Sequence, residues 1–261
     1  MIIIKTPAEI ALMKQGGKIL ADILDQVAKT VKPGVTTQQL DELAEDLILK
    51  AGGRPAFKNY QVFGDEPPFP TTLCTSINQE IVHGPARPAR VLLLGDIISL
   101  DIGMEYPYTG VKSGLYTDMA TTVAVGKISA LARKLLKVTK ESLFLGLAQI
   151  RPGQQIKDIS LAIQQYVESQ GFNVVRDLVG HGVGQKIHEE PSIPNFFQAN
   201  HPEIKLKPGM TLAIEPMVVT GKYHTKTLAD GWTTVALDGG LAAHYEHTIV
   251  VTNDGYEIIT K

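Results

Sequence analysis

Near the start of the chain the apolar positions fall three and four apart. Ile10, Met13, Leu20, Ile23, Leu24 and Val27 line one face of a helix of about 25 residues. Thr6-Pro7-Ala8-Glu9 opens it as a capping box with proline at the first helical position. It stops at Lys32-Pro33-Gly34, and Leu40, Leu43, Ala44, Leu47 and Ile48 carry a second helix to Gly52. The pattern then recurs. A helix from about Ser129 to Ile150 meets Arg151-Pro152-Gly153, and Ile156, Ile159, Ile163 and Val167 carry another to Gly171. Pro33 and Pro152 are 119 residues apart, and so are Gly52 and Gly171. Two coincidences at one offset point to an internal duplication.

Beyond each helix pair the apolar residues gather into short runs typical of buried strands. Leu73 to His83 aligns with Leu178 to His188. Gly95 is followed six positions later by Asp101, and Gly209 six later by Glu215, inside Ile97-Ile98-Ser99-Leu100 and Met210-Thr211-Leu212-Ala213-Ile214. Asp118 and Glu246 then precede Thr121-Thr122-Val123-Ala124-Val125 and Thr248-Ile249-Val250-Val251. A unit of two helices and a few strands covers its own apolar face poorly, so two copies should pack about an approximate two-fold axis. The expectation is one α+β domain with halves of about 1–127 and 128–261. No Pro/Gly/Ser-rich linker separates them, and equivalent residues should converge on the joint.

Bulk properties narrow the function. The chain has 261 residues and 44% hydrophobic content, enough for a substantial core. Its net charge is -2, with no Lys/Arg stripe, so nucleic acid is not an expected partner. No apolar stretch is long enough for a signal peptide or a membrane span, so a soluble cytoplasmic protein is expected. The single cysteine, Cys74, excludes an internal disulfide and a multi-cysteine zinc site.

The candidate chemistry lies in the strands. Asp101 and Glu215 occur in apolar runs without Lys or Arg, where an unpaired carboxylate costs several kcal/mol. Together with Asp118, Glu246 and His181 they can hold two bridged divalent ions that activate water. One imidazole with four carboxylates favours manganese, iron(II), cobalt or zinc over calcium. His181 stands in Gly180-His181-Gly182-Val183-Gly184, where glycines admit a close backbone approach. The stretch lacks a P-loop ending, and His188 lacks the second histidine of a helical zinc motif. His188 is read as facing the substrate, and His83 is a further candidate. His201, His224, His244 and His247 are read as ordinary surface or packed residues. Cys74 near His83 is read as a small hydrophobe rather than a nucleophile, and no serine-hydrolase elbow is present.

The sequence resembles the type I methionine aminopeptidases, of the pita-bread metallopeptidase fold, over nearly its whole length. The blocks carrying the resemblance include Ser76-Ile77-Asn78 with Val82-His83-Gly84, Ser99-Leu100-Asp101-Ile102-Gly103, Gly180-His181-Gly182-Val183-Gly184, His188-Glu189-Glu190-Pro191, Ala213-Ile214-Glu215-Pro216-Met217, Asp230-Gly231-Trp232 and Tyr245-Glu246-His247-Thr248. The resemblance implies removal of an N-terminal methionine, before a small second residue, from nascent chains. It implies that Asp118 and Glu246 bridge two ions, that Asp101 serves one, and that His181 and Glu215 serve the other. Glu215 would accept the proton of water, His188 would stabilise the tetrahedral intermediate, and His83 would contact the scissile amide. Cys74, Phe69 and Trp232 would wall the methionine pocket, and Asn78 would lie near a monovalent-cation site. A monomer working near the ribosome is implied. The chain departs from the family at a lengthened hairpin, where Tyr106-Pro107-Tyr108 and Val111-Lys112-Ser113 are added, at Met119-Ala120 after Asp118, and at Ile187. Proline-specific and creatinase-like relatives share the metal set but carry an extra domain, type II enzymes carry an insertion, and inactive binding homologues tend to lose ligands.

Overall fold

In a computed structural model of the chain, residues 1–61, 67–111 and 114–261 are described, and their helices stand where the apolar spacing puts them. They are α1 (Pro7–Thr30), α2 (Thr37–Lys50), α3 (Ala130–Leu147) and α4 (Ile156–Ser169). Thr6 accepts the Glu9 N–H while the Glu9 carboxylate accepts the Thr6 N–H, and Thr36 and Gln39 do the same for α2. Such caps satisfy donors left open by the first turn and are worth about 1 kcal/mol each. Past the helix ends the 119-residue offset reappears in the backbone. Gly52 and Gly171 have φ of 79° and 81°, and Gly34 and Gly153 have 90° and 89°. Nothing lies within 4 Å of a Cβ placed at any of the four, so the left-handed turn, not crowding, requires glycine there.

Among the described residues, nine strands form one antiparallel sheet. Its centre is the Ile97–Tyr106 and Leu115–Ala124 hairpin of the first half, which pairs through Leu115–Ala124 with Glu246–Val251 of the second. Glu246–Val251 in turn pairs with Thr211–Ile214, and that strand with Gly180–Gly182. The halves therefore meet edge to edge within one sheet.

The two faces of that sheet have different partners. Ile98, Leu100, Ile102 and Met104 pack on Leu20, Leu24 and Leu40 of the first helix pair. Leu212, Ile214, Ile249 and Val251 pack on Leu135, Ile159 and Ile163 of the second. Each such buried side chain contributes roughly 1.5–3 kcal/mol. The other face is covered by loops carrying Phe57, Phe69, Val183 and Ile187. Because both faces are covered, Ile97–Tyr106 is buried at every position but the last, and it shows no polar alternation.

The extended hairpin has a packing role. Its strands pair from Ile97 opposite Ala124 to Tyr106 opposite Leu115, and Tyr106 packs beneath α1 at Gly16. Lys112 and Ser113, expected in the same extension, lie outside the described residues. No described helix is long and apolar enough to cross a membrane.

Candidate metal centre

Register alone brings the acidic residues together. Cys74 lies opposite Asp101, Asp101 opposite Ala120, and Ala120 opposite Glu246, so these four side chains share one row and one face. Asp118 is two residues before Ala120 and points the same way. On the next strands Ala213 lies opposite both Thr248 and His181, which puts His181 and Glu215 on that face too. The five expected residues thus converge where the halves join, above the small side chains of Ala120 and Ala213.

Three of the carboxylates have an oxygen with no hydrogen-bond partner among the described residues: Asp101 Oδ1, Asp118 Oδ1 and Glu246 Oε1. No Lys or Arg among the described residues forms an ion pair with any of the four acids. Burial raises all four, and repulsion from the neighbouring acids adds for Asp101, Asp118 and Glu246: Asp118 and Glu246 lie well above the ordinary range, and Asp101 and Glu215 move to about 7. Nearby His244 and His181 pull Asp101 and Glu215 respectively back down. Such a group of buried acids fits divalent cations, which remove both penalties.

Donor atoms within 4.8 Å of one another form the sets Asp101/Asp118/Glu246 and His181/Glu215/Glu246, with Glu246 common to both. A third set, Asp118/His181/His188, also exists. The orientation of the donors is fixed from outside. His181 Nδ1 lies 2.9 Å from the Gly182 carbonyl, so its proton belongs there and Nε2 is left as a lone pair, 3.5 Å from Glu215 and 3.8 Å from Asp118. Thr248 accepts the Asp118 N–H at 3.0 Å and donates to its carbonyl at 2.8 Å. The Met119-Ala120 departure fits this arrangement, since Met119 turns into the core beneath α1 and α2 while Ala120 leaves room between the acids.

A cavity of about 300 Å³ opens onto this face. Every other expected site residue lines it: His83, His188, Cys74, Phe69 and Trp232. Phe69 and Trp232 meet edge to face at 5.2 Å, and the Trp232 indole donates to the Pro67 carbonyl at 3.1 Å. His83 has a left-handed backbone, φ 58°, a strained conformation for a side-chain-bearing residue that turns its ring toward the cavity. Burial, with His244 adding, lowers its pKa to about 4, so the ring is neutral at pH 7. His188 stands at the mouth, its Nδ1 2.7 Å from the Tyr60 hydroxyl and its ring edge-on to His181 at 4.5 Å. Burial, then His181 and His83, holds it below the ordinary imidazole range. Burial and the adjacent Asp101 and Asp118 push the Cys74 thiol well up, which removes it as a nucleophile.

Some residues escaped the sequence reading. Tyr60 and Phe57 line the cavity from an irregular loop without a periodic signal. His244, read as an ordinary surface or packed residue, is packed, with Nε2 3.5 Å from Glu215, because its strand Ala242–His244 pairs with the Met217–Val219 strand that follows Glu215. His201, His224 and His247 lie elsewhere, bonded to Ser192, tilted against Tyr223 and bonded to Thr260 respectively. Ser76, aligned with His181 by the repeat, accepts the Gly84 N–H. The Asn78 side chain bonds Asp96 and the Ile97 N–H, and its carbonyl accepts the Ala242 N–H.

Known proteins are similar to this chain in sequence and in fold. Metallopeptidase family M24 matches residues 11–253. Methionine aminopeptidase 1 of Bacillus subtilis is 48% identical over 261 residues, all of both chains. The methionine aminopeptidase of Escherichia coli is 40% identical over 260 residues, 99% of this chain and 94% of that one. The crystal structure of methionine aminopeptidase from Thermotoga maritima superposes with a TM-score of 0.92 at 43% identity, with both chains fully covered. The prolidase of Pyrococcus horikoshii, 19% identical with a TM-score of 0.76, shares the fold over 63% of its length. The curved antiparallel sheet backed by two helix pairs is the pita-bread fold. With its acidic face at the joint of two halves and a family match spanning nearly its whole length, this chain belongs to metallopeptidase family M24.

Proposed function

We propose that the protein is a metal-dependent aminopeptidase that hydrolytically removes the N-terminal methionine of nascent proteins and peptides, preferring a small second residue. Asp101, Asp118, His181, Glu215 and Glu246 would hold two divalent ions in this reading. The carrying observation is the convergence of these donors, with unpartnered carboxylate oxygens, at the floor of an apolar cavity. The chain is read as one catalytic domain with halves of about 1–127 and 128–261, supported by the 119-residue repeat of turn glycines.

Divalent ions bound there supply Lewis acidity that polarises a peptide carbonyl and acidifies water near neutral pH. The remaining work falls to the protein's own groups. Phe57, Phe69, Cys74 and Trp232 offer soft and aromatic walls that suit a thioether and exclude water. Glu215, at the floor of the cavity, accepts the proton of the attacking water. If Tyr60 donates to Nδ1 of His188, the His188 proton sits on Nε2, facing the cavity, where it stabilises the oxyanion of the tetrahedral intermediate. Neutral His83, which lines the cavity, donates to the scissile amide in this reading. The rest of the peptide has room in an adjoining cavity of about 470 Å³ that shares Tyr60 and His188 and is lined by Arg54, Lys58 and Lys186.

The deciding experiment compares release of methionine from Met-Ala-Ser with hydrolysis of an Xaa-Pro peptide, using manganese, cobalt or iron(II)-loaded protein. Cleavage of Met-Ala-Ser is expected. Preference for Xaa-Pro would replace the specificity, and hydrolysis of neither would leave a binding protein.

A further inference from the structure

One buried polar side chain beside the carboxylate cluster has no part in the function above. His244 is 1% exposed, and neither ring nitrogen has a hydrogen-bond partner among the described residues. An imidazole removed from water without a partner costs about 1–3 kcal/mol. The backbone keeps it there firmly. The Thr122 hydroxyl donates to the His244 carbonyl at 2.8 Å and accepts its N–H at 2.9 Å, and Ser99 meets the same hydroxyl at 2.8 Å.

The direction of the ring is informative. His244 Nε2 lies 3.5 Å from Glu215 Oε2, while His181 Nε2 lies 3.5 Å from Oε1. The two carboxylate oxygens of Glu215 are thus divided between two imidazoles on opposite sides. His181 has its Nδ1 committed to a carbonyl, so it offers a lone pair; His244 has no such commitment and is free to offer a proton.

Resting on the reading of Glu215 as a metal ligand, we propose that His244 is a positioning residue whose Nε2–H donates to Glu215 Oε2 and so presents Oε1 to the ion on the His181 side. A separation of 3.5 Å is a few tenths longer than a formed N–H···O bond, and a small turn of the Glu215 carboxylate closes it. Groups behind a metal ligand typically govern affinity by roughly 10–100-fold.

The test is calorimetric titration of Mn²⁺ into metal-stripped wild type, His244→Leu and His244→Gln. The expected result is that His244→Leu binds one ion about 10–100-fold more weakly, and that His244→Gln, whose amide N–H reaches the same oxygen, recovers most of the loss. A merely space-filling role would not distinguish the two variants in this way. Wild-type affinity in His244→Leu overturns the proposal, whereas absence of Mn²⁺ binding by the wild type overturns the ligand reading on which it rests. A second measurement needs no variant: ¹⁵N NMR of the Zn²⁺-loaded wild type should show His244 as the Nε2–H tautomer, and the Nδ1–H tautomer overturns the proposal.

Discussion

In metal-free protein the buried carboxylates are predicted to withdraw stability as the pH rises from about 4 to about 8, while buried His83 and His188, whose lowered values work in the opposite direction, return some of it up to about 6.5. Burial, with Glu215 adding and His244 opposing, lifts Asp101 from 3.8 to about 7 in the folded chain. Burial likewise lifts Glu215 from 4.5 to about 7, against the pull of His181. In the unfolded chain both revert to ordinary carboxyl values. Between those values and 7 the folded state binds protons that the unfolded state has released, so the stability gradient with pH is negative. Stability is full below the unfolded values and falls until the folded values are passed. A rise of about 3 units at 1.36 kcal/mol each amounts to about 4 kcal/mol for Asp101 alone. Glu215 is among the charges that raise Asp101, so the two contributions overlap rather than add. For a chain of this size such a loss lowers the unfolding midpoint by on the order of 10 °C. Saturating Mn²⁺ should abolish the carboxylate contribution, because the ions replace the protons, and at about a thousandfold excess over Kd each adds about 4 kcal/mol. Scanning calorimetry with chelator and with Mn²⁺ at the two pH values measures this. At a fixed Mn²⁺ concentration, a gap between the loaded and chelated midpoints that fails to widen as the pH rises would refute the reasoning.

Glu215→Ala should lower metal content and Met-Ala-Ser hydrolysis together, the rate by at least about 100-fold; full activity in a folded variant would remove Glu215 from the ligand set. His188→Ala should keep its metal by elemental analysis while kcat falls by roughly 10²–10³, and loss of metal alongside rate would instead place His188 among the ligands with Asp118 and His181. In Gly182→Ala the new Cβ would stand 2.3 Å from the Glu190 carbonyl oxygen and 2.9 Å from its carbon, so the strand carrying His181 must shift. A loss of about 1–3 kcal/mol in denaturant unfolding is expected, and unchanged stability would show that the close approach is not maintained.

The acidic ligand candidates were legible because each breaks a local rule. Asp101 and Glu215 are charges inside apolar runs, six residues after the turn glycines Gly95 and Gly209, which both have positive φ. The pocket wall was only partly legible. Trp232 depends on a turn in which Asp230 accepts the Trp232 and Thr233 N–H groups, a short-range motif that sequence does carry. Tyr60 meets His188 across 128 residues, and nothing around either residue signals the other.

By itself the sequence determined the elements: capping boxes, apolar spacing and turn glycines act within a few residues, so their physics can be read in place. It also carries the 119-residue offset of the turn glycines, since equivalent turns need equivalent residues. Only the tertiary structure decided how the strands pair. The pairing of Glu246 with Ala120 across the joint puts four acids and His181 on one face, and a shift of one residue would turn the whole strand over. The same pairing distance hid His244, whose strand docks beside Met217 and so reaches Glu215. Its neighbours in sequence are apolar or shared with the family motif, and a buried imidazole differs from a surface one only in what long-range contacts surround it.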